Sequence, residues 1–198
     1  MGLVILEDQA QKLEKHKIKN AYWQKNHIDV MRYPLPVGDY IIGSEKVMDV
    51  IARKKLRGIQ PKKMDFLGTY DVCVDSKFDI QELISDICGK QHDRFRDECI
   101  LAQNNGIKLY ILVENKKAAI TKDIWNPTIR DLSELHSWKN PRLFIRRNGK
   151  QLYPNATRGI TLQKACLTLE KRYGCRFLFC TPEESGEMIV RLLNGQVD

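Results

Sequence analysis

The stretch Asp71 to Lys77 constrains this chain more than any other. Successive side chains in extended backbone point to opposite sides, so Val72, Val74 and Ser76 share one face of a strand and Cys73, Asp75 and Lys77 the other. An acid and a base, two residues apart, therefore leave the same face, while the opposite face is apolar enough to meet a core. Immediately downstream, Ile80, Leu83, Ile84 and Ile87 recur at helical spacing until Cys88-Gly89-Lys90 breaks the pattern.

The rest of the chain continues the alternation of strand and helix. Leu3 to Leu6 reads as a buried first strand, Gln9 to Lys25 as a surface helix and Ile28 to Tyr33 as a second strand. Pro34 to Asp39 turns the chain into a short extended piece, Tyr40 to Ile42. A helix is predicted from about His92 to Asn104, and Leu109 to Val113 is a continuous apolar strand. Residues 115 to 159, rich in Asn, Pro, Lys and Arg, read as loops with one short helix near Ile129 to Leu135. Leu162, Ala165, Cys166 and Leu169 mark another helix, and Phe177 to Cys180 another strand. Thr181-Pro182-Glu183-Glu184 reads as a capping box with proline at the first position of a last helix ending near Asn194-Gly195. The expected fold is α/β, a mixed β-sheet flanked by helices. It forms one domain over residues 1–198, with a basic insertion at about 50–66 and a loop-rich segment at about 115–159.

Composition narrows the setting. No apolar run approaches the roughly 18 residues a membrane helix needs. The N-terminus lacks the basic region and cleavage site of an export signal, so the expected location is cytoplasmic, with no membrane partner. The six cysteines (73, 88, 99, 166, 175 and 180) form no C-x-x-C pair and read as reduced, packed thiols. The four histidines (16, 27, 92 and 136) lack metal-ligand spacing, and His92 alone falls near the charged strand. A formal charge of +8 and a pI near 9.2 make an anionic partner plausible.

Phosphodiester hydrolysis needs a hard cation to polarise the phosphate, carboxylates to hold it, and a basic group to orient or deprotonate water. Asp75 and Lys77 can converge on one phosphate, and Asp39, preceded by the permissive Gly38, can approach from a neighbouring strand.

Leu3 to Asp8, then Gly38-Asp39-Tyr40, Asp75-Ser76-Lys77 and Arg94-Phe95, occur in an order and spacing that resemble the XPF-type nuclease domain. That domain is a branch of the PD-(D/E)xK superfamily, and the chain resembles a small, free-standing bacterial or phage-like version. The resemblance implies a restriction-endonuclease-like core and a Mg²⁺-dependent DNA endonuclease, with Mn²⁺ able to substitute and no small-molecule cofactor. It implies that Asp39, Asp75 and the Ser76 backbone carbonyl hold the metal, with Asp8 and Glu82 as further candidates, while Lys77 positions or activates water. Branched or junction DNA would be the substrate, in repair, recombination or mobile-element biology. Family members often pair as homodimers; here Met188 to Leu193 could serve such an interface, although packing on its own sheet is favoured. Four departures stand out: Asp75 replaces glutamate, Ser76 replaces arginine, Gln81 replaces an acid with Glu82 one residue displaced, and Asp8-Gln9-Ala10-Gln11 lacks an arginine and a glutamate. They keep open an alternative, a catalytically degenerate DNA-binding module of the same fold.

Two basic clusters complete the picture. Arg53, Lys54, Lys55, Arg57, Lys62 and Lys63 lie in the inserted segment, expected as a loop beside the site that clamps the DNA backbone. Arg142, Arg146 and Arg147, with Lys139 and Lys150, follow Trp138, itself read as packing a loop onto the core. Arg94, at a helix entrance, is expected to meet phosphate or to pair with Asp97 or Glu98.

Overall fold

The structure is a computed structural model and describes residues 2–12 and 17–196. Among the described residues ten strands run in chain order: β1 (Val4–Asp8), β2 (Asp29–Tyr33), β3 (Tyr40–Ile42), β4 (Val72–Lys77), β5 (Lys108–Glu114), β6 (Ala118–Ala119), β7 (Trp125–Asn126), β8 (Arg146–Arg147), β9 (Lys150–Gln151) and β10 (Arg176–Cys180). The helices are α1 (Lys17–Lys25), α2 (Glu45–Leu56), α3 (Ile80–Cys88), α4 (His92–Asn104), α5 (Gly159–Tyr173) and α6 (Ser185–Leu193). A six-stranded mixed sheet in the order β10-β5-β4-β3-β1-β2 is the centre of the molecule.

Alternating side chains divide that sheet between two cores. Leu6, Ile41, Cys73 and Ile111 join Leu83, Phe95 and Leu162 of α3, α4 and α5 on one side. Their sequence neighbours Ile5, Tyr40, Val74 and Leu112 join Trp23 of α1 and Ile189 and Leu192 of α6 on the other. The sequence led us to expect one apolar and one charged face on β4; both faces are in fact covered, and Asp75 and Lys77 are 4% and 5% exposed. α6 packs on its own sheet, as favoured. Trp23 joins the outer helices by donating from Nε1 to Gly186 O at 3.0 Å, while its ring meets Tyr40 edge-on at 5.3 Å. A Cβ on Gly186 would come within 3.0 Å of Tyr22, so glycine permits the close approach of α1 to α6.

Direction matters as much as order. β1 pairs parallel with β2, β4 with β5 and β5 with β10, whereas β3 runs antiparallel between β1 and β4. The entrance of β3 therefore lies beside the exits of β1 and β4, which brings Asp39 next to Asp8 and Asp75.

Several expected elements change. Residues 45–56 form a helix where a loop was expected: Ser44 caps it by accepting from the Val47 N–H at 3.4 Å, and Val47, Val50 and Ile51 bury one face beneath the basic residues. The periodicity is present in the sequence but masked by the charge run. Lys63–Phe66 adds a 3₁₀ turn. The first surface helix is described from Lys17 onward; Gln9 and Ala10 form a turn, and residues 13–16, including His16, lie outside the described residues. The short helix expected near Ile129–Leu135 is a 3₁₀ helix at Leu132–Ser137, with a second at Pro141–Phe144. Half of the Thr181 box forms: Glu184 accepts from the Thr181 N–H at 2.8 Å and hydroxyl at 2.9 Å, but the helix begins at Ser185 rather than at Pro182.

The loop-rich segment is held by asparagines. Asn115 donates to Ile129 O and accepts from the Ile129 N–H; Asn126 does the same with Lys139; Asn140 donates to Thr157 O. Each side chain supplies the backbone bonds that a sheet would otherwise provide. All six cysteines are free, and Cys88 alone is exposed. Among the described residues no helix is long and apolar enough to cross a membrane.

Trp23→Ala should remove about 3–5 kcal/mol of stability, the range for a large buried aromatic. Urea unfolding of the two proteins measures it.

Candidate active site

Asp39 is placed by its backbone before its side chain acts. Its N–H donates to Val74 O at 2.8 Å and its carbonyl accepts from the Asp8 N–H at 2.7 Å, so the residue is clamped between β4 and β1. Gly38 takes φ +74°, and a Cβ there would fall 2.8 Å from Cys73 Cβ; only glycine satisfies both the turn and the close approach. The Gly38 N–H donates to Glu98 Oε1 on α4 at 2.8 Å, which fixes the turn from above the sheet.

From that position Asp39 Oδ2 accepts from the Ser76 N–H at 2.8 Å and the Ser76 hydroxyl at 3.2 Å, while Oδ1 accepts from Gln11. Asp75 Oδ1 accepts from Lys77 Nζ at 2.9 Å. Oδ2 lies 2.7 Å from the same nitrogen, so one ammonium contacts both carboxylate oxygens. Lys77 also meets Asp86 Oδ2 of α3 at 2.6 Å and lies over the Phe95 ring, 5.5 Å from its centroid. These groups line a polar cleft of about 470 Å³ at the exits of β1 and β4.

The electrostatics follow from burial. Desolvation raises Asp75 to about 7 despite the opposing Lys77, with Asp39 adding repulsion. Desolvation and the nearby Asp75 likewise raise Glu98 to about 7, against the Gly38 N–H. Asp39 is raised by desolvation against the pull of Lys77 and the Ser76 N–H. Burial works against the Lys77 ammonium, but Asp75, Asp86 and Asp39 together outweigh it and hold the lysine above its ordinary value. The surrounding carboxylates thus favour the charged form of Lys77.

Asp39, Asp75, Ser76 and Lys77 come together as expected, and Asp8, Glu82, Lys63 and Arg94 line the same cleft. Asp8 Oδ1 accepts from the Leu35 N–H at 3.1 Å and Glu82 Oε2 from the Phe78 N–H at 2.8 Å, so each carries a local structural bond. Of the inserted basic residues only Lys63 lines the cleft. Arg53 pairs with Asp49 at 3.1 Å, Lys54 pairs with Asp65 at 2.8 Å, and Lys55, Arg57 and Lys62 are exposed outside it. Arg142, Arg146 and Arg147 are exposed on the 3₁₀ turn and the β8–β9 ribbon, also outside it. Asp97 pairs with Arg96 rather than with Arg94. His92 faces away, its Nδ1 donating to Ile87 O at 2.7 Å.

Sequence reasoning missed Asp86, Glu98 and Gln11 as members of this cluster. Two of them carried a signal: Asp86 follows Leu83 by three residues, and Glu98 stands between Phe95 and Ala102 on the buried face of α4. An acid on an apolar stripe needs a partner.

Asp39, Asp75 and the Ser76 carbonyl offer hard oxygens that could hold a divalent cation, and both oxygens of Asp75 are already in contact with the Lys77 ammonium. Among the described residues no three acidic, histidine or cysteine side chains form a metal-holding group.

The ERCC4 domain matches residues 6–192. The chain belongs to the ERCC4 domain family. This is the XPF-type nuclease domain, and its fold is found in XPF from Aeropyrum pernix. One such structure, in complex with DNA, has a TM-score of 0.50 and 13% identity, covering 97% of this chain and 64% of that one. A second has a TM-score of 0.51 and 14% identity, covering 98% and 66%. This ERCC4 domain thus spans just under two thirds of the XPF chains it matches. No curated protein matches it.

The raised carboxyls set a pH dependence. A carboxyl whose folded pKa exceeds its unfolded value holds its proton more tightly when folded, so its stabilisation is complete at low pH and is lost as pH rises through the folded pKa. In EDTA, stability should fall between about pH 4 and pH 7 through Asp75 and Glu98. Glu98→Gln, which keeps an acceptor for Gly38, should flatten that slope in thermal melts across the same range.

Proposed function

We propose that this ERCC4 domain is a divalent-metal-dependent endonuclease that hydrolyses the phosphodiester backbone of DNA. The observation that carries the reading is the buried constellation of Asp39, Asp75 and Lys77 at the floor of a polar cleft whose lining includes the cations Lys12, Lys63 and Arg94. Asp39, Asp75 and the Ser76 carbonyl would hold Mg²⁺ or Mn²⁺. A cation bound there polarises a phosphoryl oxygen and acidifies water. Lys77, held as an ammonium by Asp86, stabilises negative charge developing on the phosphate. Glu98 and Ser76 hold the Asp39 turn in register, and the exposed Lys63 and Arg94 attract the DNA backbone by releasing its counterions. Branched or junction DNA, encountered in repair, recombination or mobile-element transfer, is the substrate we assign.

One observation favours the alternative of a DNA-binding module without turnover: Lys77 already sits against both oxygens of Asp75 and competes with a metal for them. Incubation of plasmid with pure protein separates the two readings. Nicking should require Mg²⁺ or Mn²⁺, and Asp39→Asn, Asp75→Asn and Lys77→Met should each lower it by about a hundredfold or more while retaining the native circular dichroism spectrum. Unimpaired nicking by Asp75→Asn would sink the assignment. Binding in EDTA should weaken with salt, and Lys63→Ala and Arg94→Ala should each reduce the slope of log K against log salt by about 1.

A further inference from the structure

The register of β1 with its two neighbours sets Arg32 of β2, Glu7 of β1 and Tyr40 of β3 side by side across three strands. They lie on the α1 and α6 side of the sheet, and Ser76 stands two residues beyond Val74, the partner of Tyr40 on β4. Polar contacts run through all four. Arg32 Nε lies 3.1 Å from Glu7 Oε2, and Glu7 Oε1 accepts from the Tyr40 hydroxyl at 3.3 Å. The Tyr40 oxygen is in hydrogen-bond contact with the Ser76 hydroxyl, which donates to Asp39 Oδ2 at 3.2 Å. Glu7, Tyr40 and Ser76 are all buried. A second route leaves the same guanidinium. Arg32 Nη2 donates to Gln9 O at 3.1 Å and to Gln11 O, which fixes the turn after β1, and the Gln11 amide donates to Asp39 Oδ1.

We propose that Arg32 is the positioning residue of Asp39. It holds one carboxylate oxygen through Glu7, Tyr40 and Ser76 and the other through the Gln11 turn, so that the carboxylate is oriented before a divalent cation arrives. The inference rests on reading Asp39 as a metal ligand. Three features favour it over an edge-strand ion pair that only stabilises the fold. The two routes converge on the two oxygens of one side chain. The planar guanidinium can serve a carboxylate and two carbonyls at once, which the point charge of a lysine does not. Both final contacts also fall where the chain departs from the XPF-type pattern: Ser76 stands in place of arginine, and Gln11 ends the run that lacks an arginine and a glutamate. Those departures are then two ends of one holding arrangement, whose cation comes from β2. Groups that orient a metal ligand from behind set its affinity for the ion.

Mn²⁺ binding, read from the electron paramagnetic resonance signal of the free ion, tests this without turnover. Arg32→Met should weaken Mn²⁺ binding by about tenfold or more. Gln11→Ala and Ser76→Ala, which leave no buried charge unpaired, should each weaken it by part of that amount. In the Gln11→Ala/Ser76→Ala protein, Arg32→Met should add less than about twofold, because both routes are already cut. Arg32→Lys keeps a cation for Glu7 and so spares the fold; it should lose as much affinity as Gln11→Ala. An arginine that only stabilises the fold would lower the melting temperature on replacement and leave the Mn²⁺ affinity of the folded protein unchanged. Wild-type affinity in Arg32→Met or Arg32→Lys, or a full further loss when Arg32→Met is added to the double variant, overturns the positioning role and leaves metal-dependent nicking untouched. Absence of Mn²⁺ binding by the wild-type protein overturns the metal reading of the cleft and this role with it.

Discussion

The buried ion pairs of Lys77 are the interaction on which the rest of the site depends. Four carboxyls, Asp39, Asp75, Asp86 and Glu98, line one cleft and interact with a single buried ammonium. Without that ammonium the cluster would carry several like charges out of water, a cost that burial multiplies. With it, Asp75 and Asp86 can lie on opposite sides of one cation, and the excess negative charge is carried as raised proton affinity on Asp75 and Glu98. The site is therefore under-neutralised by construction. That is the condition in which an added cation gains most.

The sheet brings about this concentration of charge through strand direction. β1 and β4 both end at the cleft, and β3 begins there, because it alone runs against its two neighbours. Three short elements thus deliver Asp8, Asp39 and Asp75 from separate parts of the chain with little loop between them. Covering both faces makes the arrangement dry. α3 and α4 close one side and contribute Asp86 and Glu98, while α1 and α6 seal the other with Trp23 and Ile189.

What was legible in the sequence tracks what local patterning encodes. The alternation at 72–77 and the helical spacing of 80–87 and 92–104 fixed elements whose boundaries hold to within a residue or so, and with them Asp75 and Lys77. Asp39 was legible through its glycine. The fold class followed from alternation and the chemistry from resemblance. α2 was obscured because Arg53, Lys54 and Lys55 drew attention to charge and away from Val47, Val50 and Ile51. Asp86 and Glu98 stayed hidden because their significance is a matter of distance across helices, which no spacing rule reports. Residues 115–159 were read as loops with one short helix; the segment also holds the β6–β7 and β8–β9 ribbons, and its asparagines hold specific long-range backbone bonds that composition alone cannot assign.

The turn at Gly38 ties two properties together. Its N–H is held by Glu98, its missing Cβ leaves room for Cys73, and the next residue is the carboxylate at the centre of the site. A side chain introduced there would push against the core and displace Asp39 in the same movement. Tolerance of sequence drift at this turn is accordingly governed by folding as well as by chemistry: a variant that misplaces the carboxylate is also a variant that folds poorly, so the cell would clear it before its altered activity could matter.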